Sequence, residues 1–73
     1  MEQATIMPRT ELGDRIRLCR DRLNWSQQDL AVRAGVSRQL IGLVETGRCG
    51  LSNETLAVMA DVFGVTMDWL WRG

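Results

Sequence analysis

The stretch that decides the fold is "SQQDLAVRAGVSRQLIGLVETG", residues 26–47. Two short segments with apolar residues at helical spacing lie on either side of Gly35, and each segment begins at a serine. Serine is a preferred residue at the start of a helix, and glycine readily adopts the left-handed conformation that ends one. The stretch therefore predicts two short helices joined by a tight turn, the first capped by Ser26 and the second by Ser37.

The first of these helices carries a further start signal. Asp29 lies three residues after Ser26 and completes a variant of the capping box. The inner face is expected to consist of Leu30, Ala31 and Ala34.

Helix signals recur on both sides of this stretch. Thr10 can cap a preceding helix that Asn24 stops, Ser52 can cap a following helix that Gly64 ends, and Thr66 opens a short last helix. The apolar residues at helical spacing are Leu12, Ile16, Cys19 and Leu23 in the first helix and Leu56, Met59, Ala60 and Phe63 in the fourth. Five helices with short connections and no strand pattern predict an all-α fold.

The length of 73 residues allows one small domain. We expect a flexible N-terminal arm over residues 1–9 and a compact helical domain over residues 10–73. No secretory signal and no apolar run of about 18 residues is present, which predicts a cytoplasmic protein with no membrane partner.

The residue types present argue against metal and enzyme chemistry. Two cysteines and no histidine are too few for the usual four-ligand zinc site, and no cofactor is expected. Without His, Lys or Tyr, an acid-base or nucleophilic site has little to rest on, so we expect no enzyme. Cys19 is predicted to be a buried free thiol, although a disulfide with Cys49 stays open.

All nine basic residues are arginines, and nine acidic residues balance them. Nucleic-acid binding therefore depends on whether arginines gather on one face, because local potential governs phosphate binding. Four arginines crowd the first helix beside aspartates, and for them a solvated, salt-bridged surface is the favoured interpretation. These are Arg15, Arg17, Arg20 and Arg22.

The helix that follows Ser37 has two distinct sides. At about 100° per residue, one side is an apolar core face and the other is polar. The core face comprises Leu40, Ile41 and Val44; the outward face comprises Arg38, Gln39, Gly42, Leu43 and Thr46. Arginine and glutamine read guanine and adenine edges by paired hydrogen bonds, although an ordinary solvated face is the alternative.

Two longer stretches carry a family resemblance. "SQQDLAVRAGVSRQLIGLVETGR" followed by "LSNETLAVMADVFGVTMDWL" resembles the Cro and lambda-repressor-like helix-turn-helix proteins, over about residues 12–71. The resemblance implies a five-helix DNA-binding domain, with the helix-turn-helix formed by helices 2 and 3. It also implies a dimer on a pseudo-palindromic operator.

The resemblance also implies roles for individual residues. Arg38 and Gln39 are the expected main base readers, and Gln27 contacts a phosphate or an outer base. Arg20 and Glu45 are expected to form a structural ion pair. With the outward face, the base-reading set is Arg38, Gln39, Gly42, Leu43 and Gln27. The phosphate-binding set is Gln27, Ser37, Thr46, Arg48 and Asn53. Asn53 belongs to it by its position at the start of the fourth helix rather than by the resemblance.

The loop after the third helix is poorly basic. It offers Arg48 and then Cys49 and Gly50, where the family usually carries more basic residues. Modest phosphate affinity and a shallow salt dependence are therefore expected, since each neutralised phosphate adds about 0.9 to the salt slope.

The last helix carries two tryptophans. Trp69 and Trp71 are two residues apart and so point in nearly opposite directions on a helix. We expect one tryptophan in the core and Trp71, with Met67 and Leu70, in a self-complementary dimer interface. In the alternative, the helix frays and Trp71 only covers the end of the core.

The leading functional hypothesis is a sequence-specific transcriptional regulator, most simply a repressor, that binds double-stranded operator DNA as a homodimer. The alternative is an antitoxin or adaptor: a protein-interaction module on the same fold that uses DNA only for autoregulation. A protein partner or effector is left unidentified.

Overall fold

The computed structural model describes residues 8–73, with side chains from residue 11 onward. Those residues form five α-helices and no strand, which confirms the predicted all-α class. The helices are α1 (Pro8–Arg22), α2 (Gln27–Ala34), α3 (Arg38–Glu45), α4 (Asn53–Phe63) and α5 (Met67–Arg72). Within the described residues, no helix has the length and apolarity needed to cross a bilayer.

The start of α1 differs from the prediction. The helix begins at Pro8, so Thr10 lies inside it rather than capping it. Proline suits the first turn because its missing N–H is one that the helix leaves unpaired anyway. The arm predicted over residues 1–9 falls outside the described residues except for Pro8 and Arg9, which belong to α1. Asn24, in the left-handed conformation at φ 58°, follows the helix as expected.

The other helix starts are confirmed. The side chains of Ser26, Ser37, Ser52 and Thr66 each accept a backbone N–H in the first turn of their helix. At Ser26 the reciprocal bond is also present, because the Asp29 carboxylate accepts the Ser26 N–H at 2.9 Å. Gly35 and Gly64 end their helices with φ of 71° and 72°, the backbone conformation that favours glycine.

One hydrophobic core joins all five helices. Its buried residues are Leu12, Ile16, Leu30, Ala31, Ala34, Ile41, Val44, Leu56, Met59, Ala60 and Leu70. Leu23 was expected there but is 42% exposed, because it lies in the turn beyond the end of α1. Phe63 is half-buried and stacks on Trp25. The Cys19 thiol is buried and free, as expected, and Cys49 is also free, so the open disulfide alternative is not realised.

Helix α1 packs against both α3 and α5. Its contact with α3 depends on Gly13: a Cβ there would lie 2.9 Å from Glu45 Cα and closer still to the Val44 carbonyl oxygen. At the contact with α5, Arg15 Nε donates to the Leu70 carbonyl at 2.8 Å, and its Nη2 donates to that of Trp71. Arg15 thus closes the end of α5, a role that the predicted solvated surface did not include.

Candidate nucleic-acid interface

The turn between α2 and α3 is short and closed by backbone hydrogen bonds. Gly35 and Val36 donate backbone N–H bonds to the Val32 and Ala31 carbonyls, which closes the end of α2. Only residues 35–37 separate the two helices, and both bury their apolar sides in the same core. One face of α3 is thereby committed to the interior, and its other face must point to solvent.

The outward face of α3 carries the predicted base readers. Arg38 and Gln39 are exposed, and Gly42 and Leu43 are partly exposed, whereas Ile41 and Val44 on the opposite side are fully buried. The structure brings all five predicted base-reading residues to one shallow concave surface. Its lining consists of Gln27, Arg38, Gln39, Gly42 and Leu43.

Glu45 joins three helices at the edge of this surface. Glu45 is 3% exposed, and its carboxylate accepts two hydrogen bonds from Arg20 on α1, Nε to Oε2 at 2.8 Å and Nη2 to Oε1 at 3.1 Å. The structure therefore places Arg20 and Glu45 in the contact that the family resemblance implied. Oε1 also accepts Gln27 Nε2 at 3.2 Å. This bond fixes the orientation of the Gln27 amide, and no sequence pattern pointed to it.

The contacts of Glu45 determine its charge state. Burial alone would raise the pKa of its carboxyl, but hydrogen bonds from Arg20 and Gln27, with the charges of Arg20 and Arg17, hold the pKa below its ordinary value. The same hydrogen bond raises the pKa of Arg20 further. Arg20 also donates Nη1 to the Trp25 carbonyl at 2.9 Å, which attaches the loop before α2 to the ion pair. The network is thus ionised and positions α2 against α3.

The predicted phosphate-binding residues differ in how available their polar groups are. Ser37 Oγ accepts the Leu40 N–H at 3.0 Å, which leaves its hydroxyl proton able to donate. Thr46 Oγ1 donates to the Gly42 and Leu43 carbonyls at 3.0 and 3.1 Å. Its only proton is thereby used within α3, and Thr46 must give up this bond to donate to a phosphate.

Arg48 and Asn53 are both exposed but lie in different surroundings. Arg48 follows the end of α3, where its backbone N–H donates to the Leu43 carbonyl at 2.8 Å. Asn53 is the first residue of α4 and lines an apolar groove between α4 and α5. We name this the α4/α5 groove; it is lined by Leu51, Asn53, Leu56, Met67, Asp68, Trp71 and Arg72.

The α4/α5 groove corrects one predicted interface residue. Met67 and Trp71 are 39% and 40% exposed and line the groove, but Leu70 is 0% exposed and cannot contact a partner. At about 100° per residue, Leu70 lies about 60° from Met67 and about 100° from Trp71, on the neighbouring side of α5 that packs against the core. Trp69 packs partly buried against the core, so one tryptophan is inward and the other outward, as the two-residue spacing predicted. Sequence reasoning missed Leu51, which precedes α4.

A family model described as a helix-turn-helix domain matches residues 11–70. The chain belongs to this helix-turn-helix family. The match confirms the family predicted from the sequence, and it spans every helix from α1 to most of α5.

Known relatives of this helix-turn-helix chain include a regulator from Bacillus subtilis (strain 168). That protein is a SPbeta prophage-derived uncharacterized HTH-type transcriptional regulator, YonR, 34% identical over 61 residues. The alignment covers 84% of this chain and 56% of YonR, so the chain spans about half the length of that relative.

Two solved structures share the helix-turn-helix fold. A hypothetical transcription factor, NHTF, from Neisseria superposes with a TM-score of 0.83 at 28% identity, covering 97% of this chain and 80% of that one. The restriction-modification controller protein C.AhdI from Aeromonas hydrophila gives a TM-score of 0.80 at 27% identity, covering 85% and 94%. The family and its fold are therefore those of transcriptional regulators.

Proposed function

We propose that this chain regulates transcription by binding a specific double-stranded DNA operator as a homodimer, most simply as a repressor that occludes a promoter. The observation that carries the proposal is the outward face of α3. Arg38 and Gln39 are exposed there and share a concave surface with Gln27 at the start of α2. On the opposite side of α3, Ile41 and Val44 are fully buried and Leu40 is partly buried against the core. In a helix-turn-helix, the outward face of the second helix enters the major groove.

Each residue of this surface has a distinct role in base reading. Arg38 would form two hydrogen bonds with guanine O6 and N7, and Gln39 would pair with adenine N6 and N7. Leu43 presents a partly exposed apolar side chain that fits a thymine methyl. Gly42 leaves open space, since a Cβ built there meets none of the described atoms beyond its own stretch of helix within 4 Å. The absent side chain would let the α3 backbone approach the base edges.

Phosphate contacts would orient α3 in the groove. Gln27, held by Glu45, can donate its second amide proton, and Ser37 can donate its hydroxyl. Arg48 supplies charge after α3, and Asn53 a further contact at the start of α4. Because the formal net charge is zero, attraction to DNA depends on these few local groups, so the phosphate affinity should be modest and its dependence on salt shallow.

The α4/α5 groove supports the dimer. Two copies related by a two-fold axis could each insert Trp71 and Met67 against the partner's groove, which is the self-complementary geometry of such dimers. Tryptophan and methionine are enriched at interfaces. Recognition helices in such dimers lie about 34 Å apart, one helical turn of DNA, so the expected operator is a pseudo-palindrome with half-sites at that spacing.

The test is selection of bound sequences from a random duplex pool, with the wild-type chain and with Arg38→Ala, Gln39→Ala and Arg22→Ala. Arg22 is the matched control, because it is an exposed arginine on α1. We expect the wild type and Arg22→Ala to enrich one pseudo-palindromic motif. Each α3 variant should lose preference at one position of every half-site, at a cost of about 1–3 kcal/mol.

Each outcome of the selection has a definite meaning. If the wild-type chain enriches no motif at low salt, the regulator proposal is wrong. If the α3 variants enrich the unaltered motif, the base readers are misassigned. For the repressor role, a promoter that overlaps the selected motif should lose transcription in vitro when the chain is added, whereas increased transcription would contradict repression.

A further inference from the structure

Arg17 lies on the solvent side of Glu45. Its Nε is 3.7 Å from Glu45 Oε1, its Nη2 donates to the Glu45 backbone carbonyl at 3.4 Å, and its side chain is 50% exposed. These contacts hold the guanidinium near the end of α3. Both are longer than the roughly 2.7–2.9 Å of a strong charge-assisted bond, so the guanidinium keeps donors for another acceptor.

The charge of Glu45 is already balanced without Arg17. Arg20 contacts both carboxylate oxygens at 2.8 and 3.1 Å and is 14% exposed, so it forms the close, shielded ion pair. Arg20 also lies 3.6 Å from Asp21 Oδ1, so these two arginines and two carboxylates sum to zero charge. Arg17 differs from Arg20 in its longer contacts with Glu45 and in its exposure to solvent. A half-exposed cation in this position attracts an anion from solution more strongly than a fully paired one would.

The position of Arg17 relative to Gln27 indicates which anion. Glu45 Oε1 is 3.7 Å from Arg17 Nε and 3.2 Å from Gln27 Nε2. Arg17 Nε and Gln27 Nε2 are therefore separated by no more than the sum of these two distances. Arg17 thus lies beside the residue that we assign to the edge of the DNA-reading surface. Arginine suits phosphate oxygens because its planar guanidinium presents several donors at once.

We infer that Arg17 binds the DNA backbone phosphate adjacent to the one that Gln27 contacts. The inference rests on the proposed operator-binding function and adds a residue to it. It also gives the protein a cation that the loop after α3 lacks, since that loop offers only Arg48. In this arrangement Arg17 contacts a phosphate and no base edge, so it contributes affinity without sequence preference.

The experiment measures how the affinity for a duplex carrying the selected motif changes with salt concentration. The proteins are the wild type, Arg17→Gln, Arg17→Lys and Arg22→Gln. Arg22 is the control because it is exposed on the same helix but five residues away, on a different side. Thermal unfolding of each variant reports on the structural role of the Glu45 contacts.

Loss of a phosphate contact should reduce the steepness of the log affinity against log salt plot by about 0.9 for each Arg17 removed. We expect this change in Arg17→Gln, an unchanged motif, recovery of the slope in Arg17→Lys, and a wild-type slope in Arg22→Gln. A lower affinity for Arg17→Gln at an unchanged slope would mean that Arg17 only braces Glu45, and the inference would be wrong.

Failure of this inference is distinguishable from failure of the proposed function. If the wild type binds its selected motif and Arg17→Gln has the wild-type slope, only the inference about Arg17 is overturned. If the wild type binds no DNA at low salt, both are overturned.

Discussion

The contact between α1 and α3 predicts that alanine at Gly13 destabilises the fold. The added Cβ would lie 2.9 Å from both Cα and the carbonyl oxygen of Glu45, and closer to the Val44 carbonyl oxygen. All three obstacles are backbone atoms of α3, which cannot rotate away as a side chain would. Overpacking a core contact costs about 1–3 kcal/mol, and rigid obstacles favour the upper end. Alanine regains about 1 kcal/mol of helix propensity. The expected net loss is about 2 kcal/mol.

Gly42 offers the same substitution without the obstacle. It lies within α3, and a Cβ there meets none of the described atoms beyond its own stretch of helix within 4 Å. Gly42→Ala should therefore gain helix propensity and lose nothing in packing, which stabilises the fold by about 0.5–1 kcal/mol. The two variants make the same chemical change in two helices, and their opposite signs isolate the effect of the close approach.

Urea and thermal unfolding followed by circular dichroism measure both variants. For a domain of this size, 1 kcal/mol shifts the melting temperature by about 4–8 °C. Gly13→Ala should thus melt about 8–16 °C below the wild type, and Gly42→Ala a few degrees above it. Surface substitutions usually change the free energy of unfolding by less than about 0.5 kcal/mol. If Gly13→Ala changes it by no more than that, α1 does not pack on α3 as closely as described.

Two further predictions concern the Glu45 network and the α4/α5 groove. Because the pKa of Glu45 lies below its ordinary value of 4.5, its carboxylate stabilises the fold above about pH 4.5 and loses that contribution as the pH falls through the folded-state pKa. Glu45→Gln should therefore be less stable than the wild type at pH 7, with a gap that narrows towards pH 3 in urea unfolding; a gap independent of pH would contradict this. At the groove, Trp71→Ala should weaken self-association in sedimentation, whereas Val58→Ala, also an exposed apolar residue but outside the groove, should not. Equal association of both variants with the wild type would remove the groove as the dimer interface.

Much of the fold could be predicted because its helix boundaries are local. A serine or threonine cap bonds an N–H two or three residues away, and a glycine in the left-handed conformation ends a helix by its own geometry. Gly35 and Gly64 adopt that conformation, and Ser37 and Ser52 cap as predicted. The start of α1 was misplaced because Thr10 offered a cap signal inside a helix that Pro8 already begins. Where two residues can each start a helix, as Pro8 and Thr10 can here, the local sequence alone does not decide between them.

The errors and omissions lie where residues distant in sequence meet. Arg15 reaches carbonyls 55 and 56 residues away, and Gln27 reaches Glu45, 18 residues away. The prediction that Leu70 contacts a dimer partner is wrong. Helix α5 has only six residues, fewer than two turns, so its sequence shows too little periodicity to separate a buried side from an exposed one. For the site, periodicity along α3 separated its inner from its outer face. The grouping of Arg17, Gln27 and Glu45 follows from how α1, α2 and α3 cross, which no single-segment pattern contains.

The two glycines Gly13 and Gly42, both inside helices, differ in whether the fold itself requires a glycine at that position. Gly13 is required by the fold, because the α3 backbone occupies the space that a side chain would need. Gly42 is not required by the fold, since the space around it is open and its φ is not one that favours glycine. A residue that costs about 1 kcal/mol of helix propensity and returns nothing in packing needs a reason outside the monomer. Its place on the outward face, within the same concave surface as Arg38 and Gln39, supplies one, because a helix without a side chain there can lie closer to the bases it reads.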